Sequence, residues 1–120
     1  LSRTASVGFV TVMGREMATS QDFVNWVCGP TLDSSYLALS LRASREYIRS
    51  LSSGAIHKTV YMPTVKRFEV CAPTIDEQRR VVARLSATLE TAVAAATAAE
   101  AELAAIEALP AAVLREAFQG

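Results

Sequence analysis

The chain is short of the residues from which active sites, metal centres and disulfide-braced domains are built. Its 120 residues include two cysteines, one histidine, five glycines and 7% aromatics. Cys28 and Cys71 lie far apart and close one bridge at most, so a disulfide framework is excluded. One bridge stays open from sequence, and the favoured reading is two reduced, half-buried thiols in a cytosolic protein. Two Cys, the lone His57 and carboxylates without close spacing do not make up the four ligands of a zinc site, so no metal is expected. His57 has no nucleophile elbow around it. Glycine is too sparse for a dinucleotide fold: Gly-x-Gly-x-x-Gly is absent, and the stretch from Gly54 to Thr59 lacks the second glycine and the ending of a phosphate-binding P-loop. No paired carboxylates share a candidate cleft, and Asp76-Glu77 are accounted for by the favourable field at a helix N-terminus. The expectation is a non-catalytic protein without a cofactor.

Net charge is absent too. Twelve Lys and Arg balance twelve Asp and Glu, and the pI is about 6.8, which excludes a histone-like polycation. There is no long apolar run: the uncharged stretch Ala92 to Ala99 is too short and too weakly apolar to cross a bilayer. The N-terminus has no basic region followed by an apolar core and cleavage site, so no secretory signal is expected and the cytoplasm is the expected compartment. The chain opens on Leu1 rather than Met, as a processed or trimmed chain would.

What is present is apolar character and a segregation of charge. Apolar residues make up 51% and the mean hydropathy is +0.24, too high for a disordered chain. Residues 42–84 carry nine basic side chains against four acidic ones, while residues 85–120 carry one against five. A neutral molecule therefore has a basic middle, suited to a polyanion, and an acidic end suited to protein or water.

The N-terminal part reads as a small α/β globule. Val7 to Met13 and Phe23 to Val27 have strand composition, closed by Gly14-Arg15 and Gly29-Pro30. Asp33 can cap a helix from about Ser34 to Leu51, with Leu37, Leu41, Ile48 and Leu51 at helical spacing. Arg42, Arg45 and Arg49 fall three and four apart and share a stripe on that helix. A polar loop and the short apolar stretch Val60 to Met62 follow, and Phe68 to Cys71 reads as a last strand, stopped by Pro73.

The C-terminal helix is the clearest feature. Thr74-Ile75-Asp76-Glu77 has the capping-box form. A 3-4 repeat then runs through Val82, Leu85, Leu89, Ala92, Ala96, Ala99, Leu103 and Ile106. A heptad seam asks for a partner helix, and its three successive alanines let that partner approach closely. Pro110 occupies the next seam position and is expected to break or kink the helix. The predicted architecture is α+β: a small partial α/β domain over 1–73, a long coiled-coil helix over 74–109 and a short helical tail over 110–120.

The loop from Ser52 to Thr59 combines small residues, hydroxyls, a histidine and a lysine, next to the arginine stripe. Those are the parts with which proteins hold DNA phosphates, while Gln, Asn or Arg side chains read base edges. With few aromatics, contact with a duplex is favoured over stacking on single strands.

Several stretches, taken in order, resemble one family. Thr19-Ser20-Gln21-Asp22-Phe23-Val24-Asn25-Trp26 looks like the strand after the central turn in target recognition domains of type I restriction-modification specificity subunits. A helix with Tyr36-Leu37 near its start, then Ser53-Gly54 and a polar loop, is similar to the family's next stretch. Phe68-Glu69-Val70-Cys71-Ala72-Pro73-Thr74-Ile75-Asp76-Glu77-Gln78 resembles the strand, proline and Glu-Gln pair that open its long helix. Leu109-Pro110-Ala111-Ala112-Val113-Leu114-Arg115-Glu116-Ala117-Phe118-Gln119-Gly120 is similar to the way many of these subunits end. The likeness covers nearly the whole chain.

The resemblance implies a subunit with two recognition domains, each followed by a helix, the helices pairing antiparallel to set the distance between two half-sites. Methylation subunits dock on this scaffold, and a restriction subunit joins for cleavage. This chain would span the later half of one recognition domain and one helix: a fragment, a truncated product or a half subunit that pairs with a second copy. Arg3, Ser6, Gln21, Ser53, Gly54, His57, Lys58 and Thr59 are then expected to face duplex DNA, Gln21 and His57 at base edges, Lys58 and Arg3 at phosphates. Val82, Leu85, Leu89, Ala92, Ala96, Ala99, Leu103 and Ile106 would form the pairing seam. The alternative is a coiled-coil interaction module whose head binds protein, the basic patch being a solvated face.

Overall fold

A computed structural model describes residues 1–54 and 58–119. Four helices follow one another: α1 (Ser34–Ala43), α2 (Arg45–Ser50), α3 (Met62–Val65) and α4 (Ile75–Gln119). The chain divides into two compact units, Leu1–Val82 and Ala83–Gly120. No helix among the described residues is long and apolar enough to cross a membrane.

The expected strands do not form. Among the described residues β-pairing is limited to three isolated antiparallel bridges, Ser2 with Phe23, Thr4 with Thr59 and Ser53 with Thr59. The α+β expectation is therefore corrected to a mainly helical chain with irregular segments. The reason lies in where the backbone groups go. The Val10 carbonyl is taken by the Arg42 guanidinium, and the Cys71 carbonyl by the Tyr36 hydroxyl at 2.8 Å. The Phe9 N–H folds back to Ser6 and the Phe68 N–H to Val65. β-branched and apolar composition favours a strand only where a neighbour supplies a ladder, and these runs find no more than the single bridge at Phe23.

The helix expected from Ser34 to Leu51 begins as its sequence requires. The Asp33 carboxylate accepts hydrogen bonds from the Ser35 and Tyr36 N–H groups at 2.9 and 3.0 Å, satisfying two donors of the first turn. It is broken once, at Ser44 (φ −87°, ψ 11°), which separates α1 from α2. Serine is a weak interior helix residue because it offers the backbone competing hydrogen bonds. Both halves still turn their apolar positions inward: Val7, Val24, Leu37, Leu41, Ile48, Val60 and Val65 form the core of the first unit. The stretch from Val60 does not stay extended. Pro63 stands in the first turn of α3, where a missing N–H costs nothing.

A polar clamp joins the start of α4 to the start of α1. Gln78 is fully buried, and its amide oxygen accepts from the Asp33 N–H at 2.9 Å. Its amide nitrogen donates to the carbonyls of Thr31 (3.0 Å) and Pro73 (2.7 Å). A buried amide is tolerable because its donors and acceptor are nearly all matched. The capping box is half realised: Thr74 Oγ1 accepts from the Glu77 N–H at 3.4 Å, while the Glu77 carboxylate pairs with Arg80.

Pro110 stands inside α4, which runs on to Gln119 without a break. The proline removes one backbone donor, and the residues on either side of it are exposed, so water can take the place of the missing bond. Every position from Ala87 to Phe118 is exposed.

Candidate functional site

Two lines of backbone pairing gather the residues named above as DNA-facing. Leu1 to Arg3 lies antiparallel to Asp22 to Val24: Arg3 N–H reaches Asp22 O, and Leu1 and Val24 exchange bonds at 2.9 Å. Burial of the Leu1 ammonium lowers its pKa below the ordinary value. On the other side, Arg3 O accepts from Val60 N–H at 2.9 Å, and Ser53 and Thr59 exchange N–H···O bonds at 3.0 and 2.9 Å. Arg3, Ser53 and Thr59 are thus on one set of paired segments. Gln21 joins through its backbone, because Arg3 Nε donates to Gln21 O at 2.8 Å. This bond uses the Arg3 Nε for structure and leaves its terminal nitrogens for other partners. The Gln21 side chain is exposed, as are Ser53 and Gly54, while Thr59 is half-buried. Gly54 has φ +127°, a conformation that side chains disfavour. His57 lies outside the described residues.

Ser6 and Lys58 meet at a concavity of about 350 Å³, which they line with Phe9, Arg45, Arg49 and Ser52. Among the described residues that line it there is no carboxylate. The arginine stripe lies along the segment from Gly8 to Val10. Arg42 gives two hydrogen bonds of 3.1 Å to Val10 O. The Arg45 guanidinium carbon sits 4.0 Å from the centre of the Phe9 ring, a cation–π contact. The Arg45 Nε is out of solvent and has no acceptor among the described residues. Arg49 pairs with Glu46 at 3.5 Å, an exposed pair worth little.

This close approach depends on Gly8. Its φ is +86°, and a Cβ there would meet Arg45 Cγ at 2.8 Å and the Arg45 carbonyl at 3.4 Å. Ala5, three residues earlier, also takes a left-handed conformation (φ 59°). The turn between them carries Ser6 to the rim of the concavity.

Arg45 and Arg49 are therefore as central to the site as the loop residues Ser52 and Lys58, and Phe9 supports it. The i, i+4 spacing of the two arginines was the available signal. Nothing in the local sequence announces that residues 5–9 come to lie against α2, since that is a non-local contact. A second concavity, about 530 Å³, is apolar and runs between residues 10–13, 23–28 and one face of α1. Cys28 is half-buried beside it, whereas Cys71 is exposed, contrary to the expectation of two half-buried thiols; both are free.

The seam residues of α4 run from Val82, at the end of the first unit, through the second unit. Leu85, Leu89, Leu103 and Ile106 are 42–61% exposed, Ala92, Ala96 and Ala99 are exposed, and Val82 is half-buried. A stripe of apolar side chains at heptad spacing is thus free to meet another surface.

No family model, no curated protein and no solved structure matches this chain.

Proposed function

We propose that the chain is the DNA-recognition and scaffold part, or a half, of a type I restriction-modification specificity subunit. In this reading it is a cytoplasmic, non-catalytic protein. Its first unit contacts duplex DNA through the basic concavity and the paired segments around Arg3, Ser53 and Thr59. Its long helix pairs with a second such helix and offers the scaffold on which methylation and restriction subunits assemble. The observation that carries the proposal is the cluster of Arg45, Arg49 and Lys58 beside hydroxyl side chains, its one nearby acid the exposed Glu46 paired with Arg49, in a chain whose formal charge is zero. A cluster of one sign in a neutral protein is the footprint of an anionic partner more than of solubility.

The test is salt-dependent duplex binding by the full chain, together with the mass, by light scattering, of the chain co-expressed with a methylation subunit from the same genome. Binding that weakens steeply with salt, and a complex holding two copies of the chain, are the expected results. A self-associated chain with neither property would establish the other reading, a coiled-coil interaction module without DNA binding, for which the exposed apolar seam of α4 speaks.

A further inference from the structure

We infer that the concavity between the turn at residues 5–9 and α2 is a seat for one phosphate group, with the Arg45 guanidinium as its main donor. The inference rests on the duplex-DNA reading for the source of that phosphate, a phosphodiester of the backbone. Free phosphate has the same chemistry and is separated from it below.

Four observations converge. Arg45, Arg49 and Lys58 bring three cations to one concavity, with the hydroxyls of Ser6 and Ser52 and, among the described residues, no lining carboxylate. The volume, about 350 Å³, falls at the small end of ligand sites, about 300–1,000 Å³. Arg45 is held rather than free: Phe9 stacks on its guanidinium, and Gly8 lies so close that a Cβ would strike its stem. Finally, its Nε–H is out of solvent and has no acceptor among the described residues, so half of the fork with which arginine grips a phosphate is unused there.

The neighbouring arginines differ in this respect. Arg42 gives both Nε and a terminal nitrogen to Val10 O, and Arg3 gives Nε to Gln21 O. Those two build the fold. In this seat the Arg45 guanidinium would turn against the exposed Phe9 ring so that Nε and one terminal nitrogen face the phosphate oxygens. Lys58 and Arg49 then supply charge from the rim. The left-handed Ala5 fits the same picture, because backbone strain gathers at ligand clamps.

The experiment compares the full-length protein with Arg45→Met, which keeps an apolar stem over Phe9, and Arg45→Lys, which keeps charge but loses the fork. Duplex affinity is measured against salt, and the arginine Nε–H resonances are followed by NMR during titration with inorganic phosphate. Thermal unfolding checks that each variant is folded, and Lys58→Ala at the exposed rim serves if the Arg45 variants are not. Arg45→Met is expected to weaken duplex binding about tenfold or more and to lower the salt slope by about one; Arg45→Lys recovers the slope without the affinity. Lys58→Ala is expected to lower the slope similarly. If the protein binds duplex and neither the Arg45 variants nor Lys58→Ala changes affinity or slope, the phosphate seat is wrong and the DNA reading stands. If duplex is not bound but phosphate shifts the Arg45 Nε–H resonance, the seat stands with free phosphate as its source and the DNA reading falls. Absence of both responses overturns the two together.

Discussion

The two units of this protein solve opposite problems. Leu1–Val82 has little regular structure, yet it buries a core and ties its segments with side-chain bonds that cross long stretches of sequence. Ala83–Gly120 is helical almost throughout, and from Ala87 to Phe118 it buries nothing. Regular secondary structure and self-sufficient burial are therefore separate properties. A helix satisfies its own backbone and can rest on alanine-rich propensity. Irregular segments cannot, so they persist only where tertiary bonds and packing hold them.

Substitutions that act on one unit and spare the other sharpen this contrast. The largest effect is expected at the seam. Ala96→Glu puts a charge where the helices of an assembly would touch, and should halve the mass seen by light scattering while helical circular dichroism stays nearly unchanged. An unaltered mass would mean that the seam lies elsewhere on α4. Gln78→Ala comes next: it strands the Asp33 N–H and the carbonyls of Thr31 and Pro73 in a buried place, a loss of about 3 kcal/mol. Urea unfolding followed by Trp26 fluorescence reads this directly, and a loss below about 1 kcal/mol would show that water replaces the amide without difficulty. Gly8→Ala, at φ +86° and against the Arg45 stem, should cost about 2 kcal/mol and displace the guanidinium from Phe9. Asp33→Ala removes the α1 cap and should cost about 1 kcal/mol, visible in the same unfolding curve. If Gln78→Ala or Gly8→Ala also changed the assembly mass, the two units would not be as independent as their burial implies.

The sequence announced the local features and missed the non-local ones. Asp33 as a cap, Thr74 at the start of α4 and the heptad stripe all follow from residues within a few positions of one another. Their structural outcomes depend on little else. The runs at 7–13, 23–27 and 68–71 show the opposite. Their composition is that of strands, but composition does not reveal whether a neighbouring strand exists, and here the carbonyls of Val10 and Cys71 go to side chains. In sequence Gln78 is only half of the Glu-Gln pair that opens the long helix; its place in the interior is decided by Thr31, Asp33 and Pro73.

The same division runs through the candidate site. Charge and period are properties of the order of residues, so the basic middle of the chain, the arginine spacing on α2 and the long amphipathic helix are legible before any fold is known. Which arginines are spent on carbonyls and which one lies over Phe9 is settled by folding alone, because it depends on a turn at residues 5–9 meeting a helix some forty positions later. Contacts of that range are set by which apolar surfaces can be buried together and which backbone groups are left needing partners.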